Sequence, residues 1–198
     1  AASDVYKRQI RVRAECQGGK VKSVTFRNVP AFAAHLDAEI DVPHLGRVRV
    51  DVGWGGMFYV IADVRQFPGL ELIPDHGREI TRVSSMIRQA AIEQLPVAHP
   101  DYPGVGITIS QLSGPTGDLN ADWKNAVTMA SGDFSWDDPA TWTGAIDRCP
   151  CGTGTCAKMA VLHAKGELPL DRPFRHQSIL GNVYTCLLYT SPSPRDKR

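Results

Sequence analysis

Residues 147–166, DRCPCGTGTCAKMAVLHAKG, are the part of the chain that indicates its fold most clearly. Between Cys156 and Lys165, apolar residues occur on nearly every side of a helix, which predicts a helix that is buried all round. Gly166 is placed to end that helix as the glycine after its last turn. A short helix enclosed by strands would hold its N-terminus, and the residues there, at a fixed internal point.

Two glycines and a cysteine stand just before this predicted helix. Gly152 and Gly154 allow backbone N–H groups to turn toward a ligand without interference from side chains, and the helix behind them adds a partial positive charge. Together they predict an anion site suited to a carboxylate or a phosphate. The same charge is expected to lower the pKa of a thiol at that position, so Cys151 is predicted to be an activated nucleophile or base.

Three other interpretations of this segment stay open. A phosphate-binding loop requires a lysine directly after its second glycine, whereas Lys158 follows Gly152 by six residues. A metal site would use Cys149, Cys151 and Cys156, but their C-x-C-x4-C spacing lacks the usual C-x2-C pair and a clear fourth ligand. The third interpretation is a structural glycine turn with buried, inert thiols.

The rest of the chain alternates short strands with one further helix. An amphipathic helix lying on a sheet is predicted over residues 79–95, because apolar residues recur every three or four positions at Ile80, Val83, Ile87, Ala91 and Leu95. Alternating apolar and charged residues followed by a Gly-Gly turn predict a hairpin over residues 47–63. Further strands are predicted at residues 10–14, 20–26, 105–110, 124–130 and 178–184. The loop over residues 131–143 is long enough to form a rim or lid.

Composition excludes several classes of function. The 198 residues include 22 Lys plus Arg and 21 Asp plus Glu, and the net charge of +1 gives no broad field for nucleic acid or an anionic membrane. No stretch approaches about 18 consecutive apolar residues, and the first residues show no signal pattern. We therefore expect no nucleic-acid partner and no membrane partner. Five cysteines, an odd number, favour reduced thiols in a cytoplasmic protein over a secreted disulfide framework.

The segment AIDRCPCGTGTCAKMAVLHAKGEL resembles the second active-site motif of the proline racemase family, D-R-S-P-C-G-T-G-T-S-A. Other stretches resemble the same family in the same order, namely VKSVTFRNVPAF, VDVGWGGMFYVIAD, the predicted helix with VAHP, and FRHQSILGNVYT. The resemblance covers about residues 10–185, and the Cys-Gly-Thr-Gly-Thr motif is highly specific. It implies an α/β (α+β) fold of the diaminopimelate-epimerase type, in which a mixed β-sheet or barrel wraps a buried central helix.

The resemblance also implies a reaction. Members of the family invert the α-carbon of proline or hydroxyproline without a cofactor, using two cysteines on opposite faces of the substrate, one as thiolate base and the other as thiol acid. It implies that Cys151 is one of these thiols, that Gly152, Thr153 and Gly154 hold the substrate carboxylate, and that Asp147 pairs with the ring ammonium. Two residues just before the motif are candidates for lining the pocket, Thr141 and Trp142.

The chain departs from the family pattern at the other thiol. The family's first thiol stands in a Met-Cys-Gly-His motif, and no Cys-Gly-His occurs in this sequence. Cys16 stands in a different context, which is typical of a thiol at a strand end or turn. We therefore expect an internal fragment that is catalytically inactive by itself. Two alternatives are the related dehydration of 3-hydroxyproline, whose enzymes carry Thr where this chain has Cys151, and a non-catalytic thiol or metal-binding module.

The resemblance also predicts how the chain divides. Residues 10–40 would be part of a first domain, residues 41–177 a second domain, and residues 178–186 a strand that returns to the first. Residues 1–9 and 187–198 lack any pattern and are predicted to be disordered or non-native tails. The expected partner is a small amino-acid substrate, with no metal and no cofactor. The preferred proline or hydroxyproline isomer and the choice between a monomer and a homodimer are left open.

Overall fold

The structure, a computed structural model, describes residues 10–189. Within this range the chain forms ten strands, two α-helices and three short 3-10 helices. The strands are β1 (Val12–Gln17), β2 (Lys20–Phe26), β3 (Phe32–Val42), β4 (Gly46–Trp54), β5 (Phe58–Asp63), β6 (Ile107–Gly114), β7 (Trp123–Ala130), β8 (Gly144–Ile146), β9 (Phe174–Gln177) and β10 (Val183–Cys186). The helices are α1 (Gly77–Gln94) and α2 (Gly152–Ala164), and the 3-10 helices are Val64–Gln66, Pro74–His76 and Pro139–Thr141.

The strands form one small and one large sheet. Strands β1 and β2 pair as an antiparallel hairpin. The large mixed sheet has the order β10-β9-β7-β6-β5-β4-β3, and β8 pairs with the side of β7. Strands β5 and β6 are parallel, as are β7 and β9, and the other neighbours are antiparallel. Parallel neighbours require a crossover connection, and α1 lies within the one that joins β5 to β6.

The two helices cover opposite faces of the large sheet. On one face of β5, Tyr59 and Ile61 pack with Ala157 and Val161 of α2. The alternate residues of β5 lie on the other face and pack in the same cluster as the buried side of α1. Helix α2 is buried over most of its length, and the face of α1 toward the sheet is buried. The structure therefore confirms both the helix that is buried all round and the amphipathic helix on a sheet.

Glycines of β4 and of the turn after it allow α2 to approach closely. A Cβ at Gly53 would lie 2.8 Å from the carbonyl oxygen of Ala157, and one at Gly55 would lie 2.6 Å from the Ala157 nitrogen and overlap the Thr153 carbonyl. Because these atoms are backbone, they cannot move aside as a flexible side chain can. The glycines therefore set the distance between the sheet and the first turns of the helix.

An ion-pair cluster fixes the other end of α2. Lys165 Nζ lies 2.7 Å from Asp51 Oδ1 on β4 and 2.9 Å from Asp37 Oδ1 on β3. The Asp37 backbone N–H also donates to Asp51 Oδ1 at 2.9 Å. Gly166 follows with φ +76°, and its N–H donates to the His163 carbonyl, which confirms the predicted helix end.

Most predicted elements agree with the structure in type and position. The hairpin predicted over residues 47–63 is β4 and β5, and the helix predicted over residues 79–95 is α1. The strands predicted at residues 10–14, 20–26, 105–110 and 124–130 correspond to β1, β2, β6 and β7. Cys16 is exposed near the end of β1, as expected for a thiol at a strand end.

Two predictions of local structure are wrong. Helix α2 begins at Gly152 rather than at Cys156, so the glycines lie in its first turn instead of in a loop before it. The strand predicted over residues 178–184 begins too early, because residues 178–182 form the turn between β9 and β10 and only Val183 and Tyr184 lie in β10. In that turn the Ser178 N–H donates to the Asn182 carbonyl, and Gly181 adopts φ +89°, which reverses the chain. Strands β3, β8 and β9 were not predicted.

The predicted domain limits and tails can be compared with the described residues. Strand β3 runs through residues 40 and 41, so the predicted limit falls inside a strand, and the division into domains stays a proposal. Residues 1–9 and 190–198 lie outside the described residues. Residues 187–189 belong to the predicted tail, but the Leu188 carbonyl accepts a hydrogen bond from Asp171 N–H. Among residues 10–189, no helix combines the length and apolar character needed to cross a membrane.

Candidate functional site

Cys151 lies at the N-terminus of α2 in an unusual backbone conformation. It is the N-cap residue, with φ 60° and ψ 112°. Positive φ is uncommon for residues other than glycine, and such conformations typically cost about 1–3 kcal/mol unless the surroundings hold them. The conformation places a half-buried thiol at the start of the buried helix, the internal point predicted from the sequence.

Buried polar side chains hold the backbone on both sides of Cys151. The Pro150 carbonyl accepts hydrogen bonds from Asn125 Nδ2 at 2.9 Å and from Thr155 Oγ1 at 3.1 Å. The Thr155 N–H donates to the Cys151 carbonyl at 2.8 Å, and Thr155 Oγ1 lies 3.0 Å from His176 Nδ1. The unusual turn is therefore fixed by α2, β7 and β9 together.

Tyr59 contacts the thiol and was not predicted as a site residue. Its hydroxyl lies 2.6 Å from Thr153 Oγ1 and 3.3 Å from Cys151 Sγ. The ring is fully buried on the α2 face of β5, and burial raises the pKa of the phenol well above its usual value. Tyr59 therefore stays protonated at neutral pH and can donate a hydrogen bond to a thiolate.

Burial, rather than the helix terminus, has the largest effect on the pKa of Cys151. Burial raises the pKa of this thiol, and hydrogen bonds from Tyr59, from the Gly154 N–H and from Thr153 oppose that increase. The nearby negative charge of Asp147 raises it further. The sequence predicted a lowered pKa for Cys151, and this prediction is wrong. Burial away from water raises the pKa more than the hydrogen-bond donors around the thiol lower it.

The first turn of α2 provides N–H groups for an anion. The first N–H groups of an α-helix have no acceptor within the helix. Here the Gly154 N–H bonds to the Cys151 thiol, and we expect those of Gly152 and Thr153 to be available to a ligand. A Cβ at Gly154 would lie 2.8 Å from Gln111 Oε1, so this position is too tightly packed for a side chain. The carboxylate-binding role of all three residues stays a prediction.

Asp147 lies on the same loop as the thiols. Its N–H donates to the Val127 carbonyl, which fixes it to β7. Cys149 Sγ is 3.7 Å from Asp147 Oδ1 and hydrogen bonds to Tyr184, whose pKa it raises to about 12. A carboxylate therefore stands two residues before a pair of thiols, and its pairing with a substrate ammonium stays a prediction.

Thr141 and Trp142 have packing contacts in their own part of the fold. Thr141 Oγ1 donates to the Asp138 carbonyl and accepts from the Ser135 N–H. Trp142 is buried against His44, and its indole N–H donates to the Ser135 carbonyl. Among the hydrogen bonds and ring contacts of residues 10–189, none joins either residue to Cys151. Their role as pocket residues therefore stays a prediction.

The three clustered cysteines do not form a metal site. In the part of the chain that the structure describes, no three His, Cys, Asp or Glu side chains are grouped so that they could hold a metal ion. Cys156 instead accepts a hydrogen bond from Asn28 and is largely buried, which raises the pKa of its thiol. The metal-binding module that the sequence left open has no support from this geometry.

A separate open cavity of about 650 Å³ lies along the C-terminal half of α2. It is lined by Lys158 in the middle of α2, by Lys165 just after its end, and by acidic and basic residues of β3, β4 and β5. Many of these charges pair with one another, as Arg65 does with Asp63. The cavity is distinct from the thiol at the N-terminus of α2.

Comparison with known proteins identifies the family. The profile of the family described as "Proline racemase" matches residues 6–194, nearly the whole chain. The chain belongs to the proline racemase family. The resemblance predicted from the Cys-Gly-Thr-Gly-Thr motif is thereby confirmed.

Curated members of the proline racemase family are moderately similar to this chain. A 4-hydroxyproline 2-epimerase of Shewanella loihica is 38% identical over 183 residues, which cover 91% of this chain and 51% of the relative. One of Allorhizobium ampelinum is 33% identical, over 89% of this chain and 47% of the relative. The chain therefore spans about half the length of these curated relatives.

Solved structures confirm the fold. A probable proline racemase from Agrobacterium radiobacter K84, with bound carbonate, has a TM-score of 0.77 and 30% identity, over 91% of this chain and 49% of its own. A hydroxyproline epimerase from Agrobacterium vitis, with bound trans-4-OH-L-proline, has a TM-score of 0.76 and 32% identity, over 91% of this chain and 48% of its own. The mixed α/β fold of the diaminopimelate-epimerase type is therefore confirmed.

Proposed function

We propose that this chain carries one half of the active site of a cofactor-independent epimerase or racemase that acts on hydroxyproline or proline. The observation that carries the proposal is the Cys151 thiol beside the N–H groups of Gly152 and Thr153. The N–H groups would hold the substrate carboxylate and stabilise the negative charge that develops as the α-proton leaves. The thiol would exchange a proton with the α-carbon.

Each residue has a defined part in the proposed step. In the state described, Cys151 is a protonated thiol, so it would donate its proton to one face of the α-carbon. A second thiolate, from the Cys-Gly-His motif that this sequence lacks, would remove the original α-proton from the opposite face. The C–H bond on one face breaks as that on the other forms, and the two sulfurs exchange protonation states. Asp147 would pair with the ring ammonium and keep the α-proton acidic.

The relatives support the choice of substrate. Two are named 4-hydroxyproline 2-epimerase, and one similar structure holds trans-4-OH-L-proline. Dehydration of 3-hydroxyproline is a weaker alternative, because dehydratases of the family carry Thr at the position of Cys151. A cysteine there favours return of a proton to the α-carbon over loss of the hydroxyl group.

We also propose that the β1–β2 hairpin belongs to a separate unit from the large sheet. Its apolar face is exposed, with Val12 60% and Val24 58% accessible. Soluble proteins rarely leave such a contiguous apolar face uncovered. The remaining half of the full-length enzyme would cover this face and bring the second thiol to the substrate.

A hybrid enzyme tests the proposed function. Residues 10–186 of this chain would replace the matching half of the Shewanella loihica 4-hydroxyproline 2-epimerase, with a Cys151→Ser hybrid as the matched control. NMR in D2O would follow exchange of the α-proton for deuterium with inversion at the α-carbon of trans-4-hydroxy-L-proline, because the thiolate on the other face could by itself exchange that proton without inversion.

We expect exchange with inversion by the hybrid, none by the Cys151→Ser hybrid and none by the 198-residue chain alone. Exchange with inversion by the isolated chain would contradict the need for a second thiol. A Cys151→Ser hybrid as active as its parent would contradict the role of Cys151.

A further inference from the structure

A chain of buried hydrogen bonds leads from β9 to the backbone of Cys151. His176 on β9 and Thr155 on α2 are both fully buried, and His176 Nδ1 lies 3.0 Å from Thr155 Oγ1. Thr155 Oγ1 in turn donates to the Pro150 carbonyl at 3.1 Å. The proposed function assigns no part to His176 or to Thr155.

A direction can be assigned to each bond in this chain. A threonine hydroxyl has one proton, and Thr155 gives it to the Pro150 carbonyl, which can only accept. We therefore assign the Nδ1–H tautomer to His176, in which Nδ1–H donates to Thr155 Oγ1. Burial and the nearby charge of Lys158 lower the pKa of His176 to about 3, so the ring is neutral at neutral pH.

Thr155 controls both backbone torsions of Cys151. The Pro150 carbonyl and the Cys151 N–H share one rigid peptide plane, and the orientation of that plane sets φ of Cys151. The Cys151 carbonyl, which sets ψ, accepts the Thr155 N–H at 2.8 Å. Since φ of 60° is unfavourable for a cysteine, these two bonds, together with the bond from Asn125 Nδ2 to the Pro150 carbonyl, hold it. They also set the direction of the Cys151 Cα–Cβ bond, which carries the thiol.

We propose that His176 is a positioning residue for Cys151. Its Nδ1–H holds the Thr155 hydroxyl with its proton toward the Pro150 carbonyl, and this keeps the Cys151 thiol aligned with the Gly154 N–H. His176 does not contact the thiol, so it acts only through Thr155. The inference rests on the proposed acid–base role of Cys151, because a fixed thiol direction matters for proton transfer to a defined face.

Site-resolved alkylation of the 198-residue chain tests this proposal. The rate at which iodoacetamide labels Cys151 is measured against pH by peptide mass spectrometry, with the exposed Cys16 as an internal reference. His176→Leu removes the donor, and His176→Asn keeps an N–H near the position of Nδ1. Phe174→Leu changes a buried neighbour on the same strand, whose ring centroid is 5.1 Å from that of His176.

We expect His176→Leu to slow labelling of Cys151 roughly fivefold and to move its pH midpoint upward, as expected for the loss of one hydrogen bond to the thiolate. His176→Asn should restore the rate, and Phe174→Leu should leave it unchanged. Thr155→Val should match His176→Leu, and the double variant should be no slower than either, because both act through one chain of bonds.

Three results would overturn the proposal. The first is that Cys151 in His176→Leu is labelled as fast as in the unaltered chain, or faster. The second is that Phe174→Leu slows labelling of Cys151 as much as His176→Leu does. The third is that His176→Asn does not restore the labelling rate. If His176→Leu does not fold, His176→Gln against His176→Asn decides, since the glutamine amide lies near the position of Nε2 rather than Nδ1 and only asparagine should keep the rate. Failure of the proposed function would appear separately, as an inactive hybrid enzyme.

Discussion

Replacing Gly55 by alanine tests how closely α2 and β4 must approach. The new Cβ would lie 2.6 Å from the Ala157 nitrogen and would overlap the Thr153 carbonyl, whereas ordinary contact begins near 3.4 Å. The helix must therefore move by about 0.8 Å or more relative to the strand, because both obstacles are backbone atoms. This displacement would move the first turn of α2, including its N–H groups.

The structure also sets the expected size of the effect. Overpacking of this kind costs about 1–3 kcal/mol, and the clash with backbone places Gly55→Ala at the upper end. For a chain of this size, each kcal/mol lowers the melting temperature by about 2–4 °C, so we expect a fall of roughly 6–12 °C. Urea unfolding followed by tryptophan fluorescence would measure the free energy of unfolding.

Gly117→Ala is the matched control. Gly117 has no atom within 4 Å of its ideal Cβ position and no positive φ. This variant therefore reports only the small stabilisation that comes from a less flexible unfolded chain, about 0.4–1 kcal/mol. If Gly55→Ala is as stable as Gly117→Ala, the close packing of α2 on β4 is refuted.

Three further predictions follow from particular contacts. Tyr59→Phe removes a donor that lowers the pKa of Cys151, so alkylation of that thiol at pH 8 should slow roughly fivefold, whereas the control Tyr102→Phe on an exposed loop should have no effect. Lys165→Met leaves a largely buried carboxylate without its cation and should lower the free energy of unfolding in urea by about 2 kcal/mol; no loss would contradict the ion-pair cluster. His176 has a folded-state pKa near 3 against an ordinary 6.5, so the unfolded chain binds a proton that the folded chain does not. The stability that the neutral His176 contributes is therefore present above pH 6.5 and is lost as the pH falls. The free energy of unfolding, relative to that of His176→Asn, should decrease by about 1.4 kcal/mol per pH unit between about pH 6 and 4. A difference that is independent of pH would contradict this reasoning.

Local sequence patterns were sufficient to predict the buried helix and the thiol at its N-terminus. An all-round apolar segment behind Cys-Gly-Thr-Gly-Thr has few structural solutions, because such a helix must be enclosed. The start of the helix was predicted four residues too late, at Cys156 rather than Gly152, since glycine disfavours helix in isolation. In the fold, contact with the glycines of the β4–β5 segment outweighs that preference.

Long-range pairing explains what the sequence did not predict. Tyr59 reaches Cys151 only because β5 lies beneath α2, and His176 reaches Thr155 only because β9 pairs in parallel with β7. Strand β3 was missed because two irregularities between Ala33 and Ala38 disrupt its register with β4 and its alternating pattern. Such pairings depend on residues far apart in the chain and leave no local periodic signal.

Protection of Cys151 by a substrate-like carboxylate tests the central claim most directly. The 198-residue chain would be alkylated with iodoacetamide in the presence and absence of pyrrole-2-carboxylate, a planar five-membered-ring carboxylate, and each thiol would be followed by mass spectrometry. We predict that the ligand slows labelling of Cys151 and leaves the exposed Cys16 unchanged. Equal labelling of Cys151 with and without saturating ligand would contradict a carboxylate site at the N-terminus of α2.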